Sequence, residues 1–220
     1  MQFHHGDQLG QGTAISATDT VNTVAFTSQD ANLDSIDGST HRRVFVIQVP
    51  TLTINCVSHS NNGDVDGDSW GPSISDNGRY IAYVSEADNI VAGVTSGTSN
   101  IFVHDLQQMA SAIVPASPIG NANSWEAQIS GNGAYVGFTS DAGNFVGDDN
   151  NASDVFRYTI ASGNLARMSI GPSGMQSNGD SWDMAVSGDG LTMAYTSLAT
   201  NLTTPPTLWN RELYLATLNQ

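Results

Sequence analysis

Three Ser-Trp pairs punctuate this chain, Ser69-Trp70, Ser124-Trp125 and Ser181-Trp182, and two of them run directly into a carboxylate, Glu126 and Asp183. Tryptophan offers a large flat contact and keeps one N–H for a polar ligand. Trp70, Trp125 and Trp182 are therefore candidate ligand-binding platforms for a sugar or a peptide. Two carboxylates beside such platforms are also the equipment of glycoside hydrolysis, where their separation sets the mechanism. On that reading Glu126 and Asp183 are the candidate catalytic pair of a glycan-active hydrolase or lyase. The structural reading of the same tryptophans is that of large rings packed between neighbouring repeats.

Two acidic loops suggest a second chemistry. Asp64, Asp66 and Asp68 alternate within "NNGDVDGDSW", and Asp148, Asp149 and Asp154 lie within "GDDNNASD". Alternating carboxylates on a tight turn can converge on a hard cation such as Ca²⁺. The first loop resembles an EF-hand only at its start, because the glycine and the distal glutamate do not align. Either loop also reads as a solvated acidic turn, and no cofactor is required. Nucleophile chemistry has no comparable signal. His4, His5, His41, His59 and His104 are scattered, and no HExxH, GxSxG or Cys-His spacing occurs. His104-Asp105 reads as a local surface pair, and the single Cys56 as a buried, inert thiol.

The elements that must position these residues are repeats. "NTVAFTSQDANL", "RYIAYVSEADNI", "AYVGFTSDAGNF" and "LTMAYTSLATNL" superimpose, with Ser28, Ser85, Ser140 and Ser197 spaced 57, 55 and 57 residues apart and Asn32, Asn89, Asn144 and Asn201 in step. A period of about 56 residues marks a repeat architecture. A residue present in every copy is expected to build every copy, and chemistry is expected where the pattern breaks. Each unit opens with a short run ending in Ile-Ser or Val-Ser. In three units Asn77-Gly78, Asn132-Gly133 or Asp189-Gly190 follows, a hairpin signal because these residues tolerate positive φ. The first unit has "ATDTVN" instead.

A third alternating run carries Phe45, Phe102, Phe156 or Tyr214, and a fourth run follows in three units. The pattern predicts four short antiparallel strands per repeat and no helix. Small residues at Ala25, Ala82, Gly137 and Ala194 predict close sheet-to-sheet approach, with Phe26, Tyr83, Phe138 and Tyr195 filling the opposite face. Such sheets are apolar on both sides, and stacking them radially hides both. The predicted fold is a four-bladed β-propeller in one domain, with repeats near 6–61, 62–117, 118–174 and 175–220.

The phrase "PSISDNGRYIAYVSEADNIV" with "NIFVHDL" resembles the WD40-like propeller repeat of TolB-type proteins. "AQISGNGAYVGFTS" and "MAVSGDGLTMAYTS" are similar, while the first unit has lost the Asn-Gly turn. The resemblance spans nearly the whole chain. It implies a propeller of periplasmic or secreted bacterial relatives, among them binding scaffolds, peptidase accessory domains and sensor modules. TolB carries six such blades and an N-terminal domain. The resemblance brings no catalytic residues with it.

The fourth unit ends after its third strand, and Met1–His5 stand in register to supply the fourth, which would close a single-chain ring. The other closed solution is a head-to-tail homodimer forming an eight-bladed ring. Composition bounds the partners. With 21 acidic and 6 basic residues the formal charge is −15, which disfavours nucleic acid and anionic membranes. No apolar run is long enough to span a membrane, and no signal peptide is expected within the chain because no basic region leads into an apolar core. A non-catalytic module presenting loops to a protein, peptide or glycan is the leading reading.

Overall fold

The alternating runs pair into four separate antiparallel sheets, one per repeat. The structure, a computed structural model, describes residues 13–16, 22–30, 32–33, 40–49, 51–60, 64–94, 97–147, 150–172, 174–208 and 210–217. The first sheet holds β1 (Thr13–Ile15), β2 (Asn22–Ser28), β3 (Arg43–Val49) and β4 (Thr53–Cys56). The second holds β5 (Ser69–Ile74), β6 (Tyr80–Ser85), β7 (Asn100–Asp105) and β8 (Ala110–Val114). The third holds β9 (Ser124–Ile129), β10 (Tyr135–Ser140), β11 (Asp154–Thr159) and β12 (Leu165–Arg167). The fourth holds β13 (Ser181–Val186), β14 (Thr192–Ser197) and β15 (Glu212–Thr217). Strands pair in chain order within each sheet. No helix is present among the described residues, and none is long and apolar enough to cross a membrane.

The sheets pack face to face in sequence. Their first strands also touch in succession, β1 on β5, β5 on β9 and β9 on β13. That is the arrangement of innermost strands in a β-propeller, here of four blades. Each interface sets the small residues of one blade against the rings of the next. Ala25, Val44 and Val46 meet Ile74, Ile81, Tyr83 and Phe102. Ala82, Val84, Ile101 and Val103 meet Ile129, Phe138 and Phe156. Val155 meets Met184, Met193, Tyr195 and Tyr214. At Gly137 a Cβ would lie 2.8 Å from Met184 Sδ and 2.7 Å from Met193 Cε, so a larger residue there would displace the ends of both methionine side chains. The rings pair across strands with centroids 5.6–5.9 Å apart, for example Tyr83 with Phe102 (5.6 Å) and Tyr195 with Tyr214 (5.9 Å). Tyr83 and Tyr195 also donate their hydroxyls to the preceding blade, at the Val57 and Met168 carbonyls.

The repeated polar residues are structural pins. Ser85, Ser140 and Ser197 each accept the hydroxyl of the serine that opens the first strand, Ser69, Ser124 or Ser181, at 2.8–2.9 Å. Each donates to a loop carbonyl and accepts the backbone N–H two residues on. Asn89, Asn144 and Asn201 clamp the loop leading into their own blade, donating at 2.8 Å to the carbonyls of Asp64, Ile119 and Gln176. Asn32 differs, because its backbone and side-chain N–H groups both turn to Asp30 Oδ1.

Along its outer edge β15 borders a groove of about 510 Å³, lined by Arg167, Met168 and Ile170 of the third repeat and by Tyr195 and Leu202 of the fourth. Met1–His5, expected at this edge, lie outside the described residues. So do Gln11, most of the "ATDTVN" turn, Asn62, Gly63, Asp148 and Asp149.

Candidate functional site

Every Ser-Trp pair sits at a bulge on the first strand of its blade. In the second blade Trp70 faces Val84 and Ser73 faces Ala82, so three steps on β5 match two on β6. The same slip occurs between Trp125 and Gln128, and between Trp182 and Ala185. The residue after each tryptophan takes the left-handed conformation, with φ +61° at Gly71, +60° at Glu126 and +51° at Asp183. Glycine suits such a bulge because it has no Cβ to clash. A non-glycine residue there is strained by roughly 1–2 kcal/mol. Two of the three blades therefore accept strain to place a carboxylate beside a tryptophan.

Cross-strand partners change with the bulge residue. Val84 faces Trp70 where the bulge is Gly71. Thr139 and Thr196 take that place in the acidic blades. Thr139 Oγ1 donates to Glu126 Oε2 at 2.8 Å, and Thr196 Oγ1 donates to Asp183 Oδ2 at 3.4 Å. Asp183 also pairs with Arg211, whose guanidinium carbon stands 5.5 Å from the centre of the Trp182 ring. All three tryptophans are half-buried, and Trp70 packs into the core between the second and third blades. Glu126 and Asp183 stand on neighbouring first strands, each bonded to its own blade. Arg211 and the two threonines escaped the sequence reading, although the pairing of Gly with Val and of acid with Thr in the repeats is a readable signal.

The acidic loop before the second blade is tied internally. Asp66 Oδ1 accepts the Asp88 N–H at 2.8 Å. Asn121 and Asn178 do the same for Gly143 and Thr200, so Asp66 has structural counterparts in two other blades. Asp68 accepts from Arg42 N at 2.9 Å and from its guanidinium at 3.3 Å, and lies 3.2 Å from His41 Nδ1. Asp64 takes part through its carbonyl, which accepts from Asn89. Asp154 lies elsewhere, buried at the start of β11. Its Oδ1 accepts from Ser169 and Ser177, and its Oδ2 faces Gln176 and Arg167. Among the described residues no three His, Cys, Asp or Glu side chains are grouped to hold a metal ion.

A calcium melt tests the first loop. Asp66→Asn keeps the acceptor that Asn121 and Asn178 supply, so the fold should tolerate it. Melting curves with Ca²⁺ and with chelator, at matched ionic strength, are expected to coincide for both the parent and this variant. A Ca²⁺-dependent rise that Asp66→Asn removes would instead establish a cation site.

No protein-family model and no curated protein matches the chain. Solved structures do match. TolB from Agrobacterium tumefaciens aligns with a TM-score of 0.51 at 10% identity, over 90% of this chain and 71% of that one. The tricorn protease aligns at 0.51 and 13% identity, over 84% of this chain and 15% of its own. A chain of the mitotic checkpoint complex aligns at 0.51 and 11% identity, over 87% and 44% respectively. This chain shares their propeller fold. It spans only a small part of the tricorn protease and less than half of the checkpoint-complex chain. At such identities the likeness concerns the fold alone.

Proposed function

We propose that the chain is a non-catalytic binding module that takes a cationic side chain of a protein or peptide on its tryptophan–carboxylate pairs. The observation that carries this reading is Arg211, which lies over Trp182 while pairing with Asp183. Cation–π attraction and a charge-assisted hydrogen bond act together on one guanidinium there. Trp125 and Glu126 repeat the pair one blade earlier. Strain is a second support, because a carboxylate in a left-handed bulge persists where function favours it over glycine. The charge of −15 would draw a basic partner by long-range attraction. The presence of one propeller of this fold in a mitotic checkpoint complex supports a protein partner. The WD40-like, TolB-type repeat pattern supports a periplasmic or secreted setting.

Glu126→Gly separates site from scaffold. Glycine fits φ near +60° without strain, so the melting temperature should hold or rise. Binding of an arginine-rich peptide, read by calorimetry at low salt, should weaken at least about tenfold, the effect of losing a charged hydrogen bond of about 1.5–3 kcal/mol. Unchanged peptide binding in the variant would sink the proposal. Binding confined to a glycan array, or glycan turnover that needs Glu126, would turn the assignment toward a carbohydrate module or a glycan-active enzyme.

A further inference from the structure

We infer that Arg211 is a built-in competitor, which closes the Trp182–Asp183 pair until an arginine of a partner displaces it; this rests on the binding reading above. The chain has six basic residues, all arginine, and Arg211 is the one that stands exposed. Its guanidinium pairs with Asp183 and lies 5.5 Å from the centre of the Trp182 ring. A partner's guanidinium needs the same carboxylate and the same ring, so the two compete for them.

Arg211 is anchored differently from its counterparts. The residue before the third strand of the blade is Arg42, Ser99, Ser153 and Arg211 in turn. The first three are clipped to the next blade through their backbone. Arg42, Ser99 and Ser153 donate their N–H groups to the side chains of Asp68, Asn123 and Asp180 at 2.9, 3.1 and 3.0 Å. Their carbonyls accept the N–H groups of Ser69, Ser124 and Ser181, each at 2.8 Å. Arg211 makes no such clip among the described residues. Its side chain turns back onto its own blade and crosses the middle strand β14 to reach β13. In the first blade the Arg42 side chain goes forward instead, to Asp68 Oδ2 at 3.3 Å.

The Arg211–Asp183 contact is therefore held by side chains, and these are 49% and 43% exposed. An exposed ion pair of this kind is weak and opens readily. The tether still supplies the competing guanidinium at an effective concentration on the order of millimolar. A partner's apparent affinity is reduced by the fraction of molecules in which the pair stands open.

The test is calorimetric titration of the full chain with an arginine-rich peptide at low salt, for the parent, Arg211→Ala and Arg79→Gln. Arg211→Ala should bind about fivefold tighter than the parent, the scale of a weak exposed ion pair and a cation–π contact that no longer compete. Its circular dichroism spectrum should be unchanged. Arg79→Gln makes the same change of charge at the Asp105 pair of the second blade and should bind as the parent does. An Arg211→Ala variant that binds no tighter would overturn the inference. The binding reading would survive that result if Glu126→Gly still weakened the peptide. An equal gain in Arg79→Gln would trace the effect to net charge and overturn the inference as well. Peptide binding absent from every form would bring down both readings.

Discussion

Asp154→Ala should destabilise the protein by about 3–5 kcal/mol, the range for breaking a buried ion pair by removing one partner. The Asp154 carboxylate accepts Ser169 Oγ at 2.6 Å, Gln176 Nε2 at 2.7 Å and Ser177 Oγ at 2.9 Å, and lies 3.2 Å from Arg167 Nε. Burial pushes its carboxyl pKa upward, and the hydroxyls, Arg167 and Gln176 oppose that shift. Truncation leaves the Arg167 charge buried and two serines turned toward empty space. Arg167→Met in the same chain should return part of the loss, since an apolar side chain needs no counter-ion. Urea denaturation of the two single variants and the double variant gives the coupling directly. Strictly additive losses would show that the two residues act independently.

The second large effect is an acid transition set by His104. Its ring is fully buried between the first and second blades, with Nδ1 2.9 Å from Ser111 Oγ. Nε2 has no hydrogen-bond partner among the described residues. Burial, with the His59 ring 6.4 Å away and against a partial opposition from Asp105, lowers the His104 pKa to about 4. The unfolded chain therefore takes up a proton near pH 6.5, while the folded chain resists until about pH 4. Stability is undiminished above the unfolded value and falls as the pH drops through this window, by up to about 1.4 kcal/mol per unit. Between about pH 7 and pH 4.5 the loss from this group is about 2 kcal/mol. Carboxylates titrate in the same range, so the reading is the difference between the parent and His104→Gln. The variant should lose less stability on acidification by that amount, and parallel pH profiles would refute the role of His104.

The period-two runs and the small and ring rows were legible in the sequence because repetition makes a local pattern self-checking. Four copies of one phrase agree on strand and core face, and three of them on the turn. The shared Ser140 and Asn144 were rightly expected to build the blade, and the structure shows how, through a buried hydroxyl relay and a loop clamp. Cys56 is buried as expected. His104 was expected at the surface beside Asp105, but strand alternation placed the ring in the inter-blade core. The role of Asp66 was hidden because its counterparts are asparagines, which accept the equivalent backbone N–H without the charge. The sequence by itself determined strand number, blade order and which residues belong to the scaffold, since these follow from alternation and period. Only the tertiary structure decided what the departures do. Whether Glu126 occupies a left-handed bulge and whether Arg211 reaches Trp182 depend on contacts between residues distant in the chain, which periodicity does not encode.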